Sequence, residues 1–531
     1  MTADLTGTAA LTRLAFRRDR IMLPVWVYVI IGSTASTAYT LKKLYPQASS
    51  RAALAATASS NPALRFLYGR LYGDSIGALT AWRYGVWAAL FTVVMTVFLV
   101  VRHTRADEES GRLELVGSAA VGRRAPLTAG LLVAVQANVL LTVLLGLVLS
   151  LIGLPLSGAA ALSLAIGSCG LAFTGISAVA VQLASGARAA RGIALGVLAV
   201  AFMFRAVGDT GTISWLSWLS PLGWTELVRP FSGERWWVLA LPVAVCVLGT
   251  GIAFALAARR DLGAGLLPDR PGPPSASAFL RGPLGLAWRL QRGPLLGWLS
   301  GYVVLFAVSG AAAKGIGQLF GTSTALEREF TRVGGQAGIT NAYLAALMLL
   351  AGLAAAAYAT SVVLGLRADE TGNLAEPVLA TAVGRVRWAM GHIVVAVAGA
   401  AVLLAAGGVA AGLGYGLRVG AAGTESVHLL GAGLAQLPAA LMLAAIAVLV
   451  FGLVPSASVG IAWTVVGVVV VLQLFGQVLQ FSHWVMDVSP FTQVPRLPGG
   501  TVFVAPLVWL SVAAITCCLA GLYTFRRRDI G

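Results

Sequence analysis

Windows of about 20 mostly apolar residues, the length that carries an α-helix across a hydrocarbon core, recur from one end of this chain to the other. Twelve such spans are discernible, at about 21–41, 84–101, 127–149, 160–183, 192–208, 236–257, 295–313, 341–366, 389–412, 429–453, 459–480 and 503–525. Charged residues make up only 11% of the 531 and hydrophobic residues 58%, whereas ordinary soluble domains carry about 25% charge. The expected fold is therefore an all-α integral membrane protein with about 12 transmembrane helices. In a soluble protein the formal charge of +17 would suggest nucleic acid. Here nearly all of it is arginine, which anchors helix ends at anionic lipid, so lipid and not nucleic acid is the expected partner.

The basic residues also orient the chain. With a cytoplasmic N-terminus, the clusters Arg17-Arg18, Arg123-Arg124, Arg259-Arg260 and Arg526-Arg527-Arg528 all fall on the inner side, as the positive-inside rule requires. Both termini are then cytoplasmic, on a multi-pass protein of the cytoplasmic membrane. The polar start, Met1 to Arg20, runs into a long span without a small-residue cleavage site and does not read as a signal peptide. The four cysteines lie in apolar runs and read as small core residues.

The chain is also written twice. Leu14-Ala15-Phe16-Arg17, followed by Arg20 and Trp26, matches Leu286-Ala287-Trp288-Arg289, followed by Arg292 and Trp298. These segments suggest a helix lying in the membrane interface ahead of each half. Before the last span of each half stand Leu219-Ser220-Pro221-Leu222 and Val488-Ser489-Pro490-Phe491, which fit a broken or re-entrant outer helix. Two homologous six-helix halves, 1–257 and 285–531, are expected on either side of a cytoplasmic linker, 258–284. Its core, Pro268 to Ser275, is too rich in proline for a helix.

The sharpest repeat is a charged loop. Arg105-Ala106-Asp107-Glu108-Glu109-Ser110-Gly111-Arg112-Leu113-Glu114 recurs as Arg367-Ala368-Asp369-Glu370-Thr371-Gly372-Asn373-Leu374, with one acidic residue fewer. Second basic clusters, Gly122-Arg123-Arg124 and Gly384-Arg385-Val386-Arg387, follow in both copies. A plain connector has no reason to keep that alternation twice. Charge pairs at these spacings suit a short surface helix with exposed ends, a natural handle for a partner protein.

No catalytic or metal centre is visible. The four histidines pair with neither cysteine nor carboxylate at metal-ligand spacing, and no Gly-x-x-x-x-Gly-Lys-Ser/Thr phosphate loop exists. Polar residues inside spans are few. Gln136, Asn138, Gln436, Gln473, Gln477 and Gln480 are candidates for a substrate path, against the plainer reading of helix-to-helix hydrogen bonding. Arg205 is expected to snorkel from the outer end of its helix. No Asp or Glu lies in the middle of a span, and a proton-driven carrier usually needs one.

These residues resemble the permease subunits of ABC exporters in which one polypeptide carries two six-span halves, the actinobacterial polyketide-antibiotic or tetronasin-type group above all. The resemblance rests on the Arg-Ala-Asp-Glu-Glu-Ser-Gly-Arg-Leu-Glu loop, its twin and the Ser-Pro segments. It implies coupling helices resting on two copies of a separate ATPase subunit, which would bind ATP and magnesium. The residues carried over are Arg105, Asp107, Glu108, Glu109, Gly111, Arg112 and Glu114, then Arg367, Asp369, Glu370, Gly372 and Glu376, with Asn373 standing for the arginine. The implied activity is export of hydrophobic, drug-like compounds by a subunit that is not itself an enzyme. A proton-coupled twelve-span antiporter is the alternative, and a scaffold that transports nothing is a third reading.

Overall fold

A computed structural model describes residues 3–117, 120–210, 213–261, 263–267, 275, 280, 282–320, 335–475, 482–501 and 503–528. Among them every regular element is a helix, so the all-α expectation holds. Among the described residues eleven helices are long and apolar enough to cross a membrane, and a further apolar helix is shorter. That shorter one begins the expected eleventh span, whose last residues, with Gln477 and Gln480, lie outside the described residues. So does most of the linker core. The chain forms two compact units, Met1–Gly272 and Pro273–Gly531.

In the first unit the helix α1 (Thr8–Arg18) precedes the span α2 (Met22–Leu44). Two short helices, α3 (Ala48–Ser60) and α4 (Pro62–Tyr68), form the long connection to α5 (Ile76–Arg102). The charged loop follows as α6 (Arg105–Glu109) and α7 (Arg112–Gly117). Then come the spans α8 (Ala125–Leu151), α9 (Leu156–Leu183) and α10 (Ala187–Thr210), the short α11 (Pro221–Leu227) and the last span α12 (Ala240–Ala257). Ser220 starts α11: its hydroxyl accepts from Gly223 N–H at 3.2 Å and donates to Ala201 O at 2.6 Å, so the first Ser-Pro segment caps one helix and ties it to another.

The second unit repeats this order with α13 (Pro283–Phe320), α14 (Gly335–Thr371), α15 (Ala375–Leu379) and α16 (Arg385–Val419). It continues with α17 (Ala422–Leu434), α18 (Leu437–Leu453), α19 (Ser458–Phe475), α20 (His483–Met486) and α21 (Val504–Arg527). Close approach is built on small residues: Gly408, Gly412 and Gly416 recur every fourth position along α16, and α17 lies against that stripe. A Cβ at Gly412 would stand 2.4 Å from Ser426 Cα, and one at Gly408 2.4 Å from Leu429 O. This is the small-residue packing that holds helices together where lipid supplies no hydrophobic drive.

One expectation is corrected. The expected interfacial helix of the second half is not separate, because α13 runs through it and into the first span. The first half breaks after α1 because Asp19 caps that helix and its carboxylate is drawn to Arg102 and His103. Gln291 and Gly365 stand at the matching positions of the second half and form no such pair. The expected span 429–453 lies within the apolar stretch Ala422–Leu453, which is interrupted at Ala435-Gln436 ahead of Pro438, whose missing N–H suits only the first turn of a new helix.

Candidate functional site

The loop after α5 folds inward on Glu108, whose side chain is 6% exposed. Arg105, 1% exposed, donates through Nε and Nη2 to Ser185 O at 2.9 and 2.6 Å, and through Nη2 to Gly263 O at 3.1 Å. Its Nη1 meets Glu108 Oε2 at 2.8 Å. The other side of Glu108 is held by Arg260, at 2.8 and 2.9 Å to its two oxygens, and by Gly263 N–H at 2.7 Å. Glu109 Oε2 accepts from Ala187 N–H at 3.0 Å, placing a carboxylate at the N-terminus of α10, where the unpaired amides and helix dipole favour it. Asp107 takes both a bidentate contact from Arg18, at 2.9 and 2.8 Å, and a longer one from Arg112 at 3.4 Å. The loop thereby ties together α1, α5, the start of α10 and the chain leaving α12.

The second copy rebuilds the centre of this clasp. Arg367 Nη1 reaches Glu370 at 3.1 Å, and Arg528, just past α21, pairs with the same carboxylate. Arg385 then donates to Arg528 O at 2.6 Å. In both units one loop glutamate sits between the arginine three residues before it and an arginine following the final span. Both final-span arginines stand in clusters that the sequence reading assigned only to membrane anchoring.

The backbone corrects how the two loops align. Gly111 has φ +71° and donates to Glu108 O at 3.1 Å; Asn373 has φ +56° and donates to Glu370 O at 3.1 Å. Asn373 therefore takes the place of Gly111, not of the arginine, since asparagine is among the few side chains that accept the left-handed region. Gly372 corresponds to Ser110, Leu374 to Arg112, and the missing acid is Glu109 replaced by Thr371. The loops have equal length. What faces outward is consequently the tip: Ser110, Arg112, Glu114 and Leu115 in the first, Thr371, Gly372, Leu374 and Glu376 in the second. Leu115 is 77% exposed and Leu374 65%.

Histidine also pairs with carboxylate across space, although not along the sequence. His103 Nε2 lies 2.5 Å from Asp19, and His392 Nε2 lies 3.3 Å from Asp369. Among the described residues no group of three or more His, Cys, Asp or Glu is placed to hold a metal ion.

Of the candidate path residues, Gln477 and Gln480 lie outside the described residues, and the others are placed each within its own unit. Asn138 is 1% exposed and donates to Thr96 Oγ1 at 3.0 Å and Ala134 O at 2.8 Å, joining α8 to α5. Gln136 is exposed on the first unit. Gln436 is buried at the joint between α17 and α18, its Oε1 without a hydrogen-bond partner. Gln473 donates to Ser489 Oγ at 2.8 Å, anchoring the second Ser-Pro segment.

Arg205 does not snorkel. It is fully buried, 3.8 Å from Asp209 and 3.4 Å from Glu226, with Nη2 donating to Phe66 O at 2.8 Å. Its guanidinium also lies over the Phe202 ring, 4.6 Å from the centroid. Arg70 completes the cluster, its own N–H bonding Glu226 Oε2 at 3.1 Å and its Nη2 bonding Gly208 O at 2.6 Å. Burial pushes the Glu226 carboxyl well above the usual carboxylate range, the Asp209 charge adding to the push and Arg205 opposing it.

The family model described as the C-terminal domain of multidrug efflux system permease Rv1217c matches residues 280–526. Over 530 residues the chain is 42% identical to the multidrug efflux system permease protein Rv1217c of Mycobacterium tuberculosis, covering 99% of this chain and 96% of that protein.

Proposed function

The chain belongs to the multidrug efflux system permease family, and from that membership we propose that it is the membrane subunit of an ATP-driven exporter of hydrophobic or amphipathic compounds. In this reading it works in the bacterial cytoplasmic membrane with both termini inside. Two copies of a separate ATPase subunit rest on the two loop tips, and ATP and magnesium are bound there, not by this chain.

The observation that carries the reading is the repeated clasp. Glu108 with Arg105 and Arg260, and Glu370 with Arg367 and Arg528, fix each loop to the helix before it and to the end of the last span of its half. Tight, partly buried ion pairs of this kind resist displacement of one partner without the other. A partner moving a loop tip would therefore move α5, α10 and α12 in the first unit, and α14, α16 and α21 in the second. The exposed tips offer different chemistry, Arg112 in one and Leu374 in the other, so the two contacts need not be equivalent.

One observation favours the proton-driven rival: the buried Asp209–Glu226 pair supplies carboxyls that the sequence did not place inside the protein. Arg205 and Arg70 neutralise that pair, which suits a structural lock at the end of α10. Affinity capture of the full chain from its native membrane separates the readings. The expected result is a stoichiometric nucleotide-hydrolysing partner that is lost when Glu114 and Glu376 are both changed to lysine. A chain that captures no such partner overturns the proposal.

A further inference from the structure

Beside the clasp, the first unit holds an open crevice of about 440 Å³ between α1, the loop and the start of α8. That is within the range of roughly 300–1,000 Å³ in which small-molecule sites fall. Leu11 and Leu14 of α1, Leu113 and Leu115 of the loop, and Pro126 of α8 form its apolar walls. At its edge two guanidiniums, Arg18 and Arg112, share a single counter-ion, Asp107, which leaves an excess positive charge beside an apolar slot.

The second unit differs at the matching positions. At the positions matching Arg18, Arg112, Pro126 and Gly130 it has Leu290, Leu374, Trp388 and His392. The two rings are buried, 3% and 4% exposed, and Trp388 packs on Phe525 with centroids 6.0 Å apart. The start of α13 presses onto α16 so closely that a Cβ at Gly391 would stand 3.0 Å from Pro283 O. At these positions one copy of the duplicated architecture thus carries two buried aromatic rings and no arginine, while the other lines an open, cationic crevice.

We propose that the crevice of the first unit binds one anionic phospholipid of the inner leaflet, an acyl chain lying among the leucines and the headgroup phosphate meeting Arg18 and Arg112. Charge complementarity commits the site to that occupant. The helix that forms one wall carries Arg13, Arg17 and Arg18, with Arg20 just beyond it, and the acid that directly follows it, Asp19, is buried against Arg102 and His103. A cationic helix with a leucine face is the pattern of segments that lie on anionic membrane surfaces. Phosphate is met best by guanidinium, which can offer it two parallel donors.

The test is native mass spectrometry of the full-length chain in detergent, titrated with phosphatidylglycerol or phosphatidylcholine. The wild-type chain should retain one phosphatidylglycerol with affinity at least about tenfold above that for phosphatidylcholine. P126W, which imports the ring of the second unit, and R112L, which removes the less engaged arginine, should each abolish that preference. R112L alters an exposed side chain, so it decides the matter even if P126W misfolds. Equal retention of the two lipids, or a preference that survives both variants, overturns the assignment. Laurate binding to this site without discrimination between the phospholipids would also overturn it, marking a pocket for small acids.

Discussion

Reversing the charge of Glu108 should unfold the clasped end of the first unit before it affects any partner. The carboxylate side chain is 6% exposed and lies between Arg105 and Arg260; a lysine there sets three cations together with no anion between them. Breaking a buried pair by removing one partner costs about 3–5 kcal/mol, and reversal costs at least as much. Thermal unfolding of the purified E108K chain should show that loss, together with exposure of the loop to protease. Changing Glu114 to lysine is the contrast, since it alters only the tip. The E114K chain should melt as the wild type does, yet it should lose ATPase stimulation. Equal melting of E108K and wild type would show that the clasp does not hold the loop.

The second large effect lies at the other end of the bundle. Replacing Arg205 by leucine leaves Asp209 and Glu226 buried side by side, and removes the donor to Phe66 O that ties α4 to α10. A loss of about 3–5 kcal/mol is expected, read as a lowered melting temperature in detergent. E226Q should be far milder. Burial already drives the Glu226 carboxyl toward its protonated form, and the amide keeps its shape. An R205L chain as stable as E226Q would remove the cluster from the account of the fold.

The spans were legible in the sequence because 20-residue apolar windows leave a membrane chain little choice. The duplication was legible because the charged loop stands out where charge is scarce. The direction in which its acids point was not. Glu108 and Arg260 are 152 residues apart, and no local spacing announces that the arginine after α12 folds back onto the loop. The acids were expected to face a partner, but the central one is occupied within the chain in each half. The alignment of Asn373 also needed a backbone angle, since composition alone matches it to either neighbour. Arg205 was misread because, besides Asp209 on its own helix, its partners come from α4 and α11, one of them 139 residues away. In contrast, the break before α18 had a visible signal in Pro438 that hydropathy masked.

The measurement that bears most directly on the central claim is dye uptake into inverted membrane vesicles containing this chain and whatever subunits it captures. Uptake that requires hydrolysable ATP, persists when a protonophore collapses the pH gradient, and disappears in the E114K/E376K chain is the predicted result. Uptake that follows an imposed pH gradient without ATP would contradict the account and direct attention to Asp209 and Glu226.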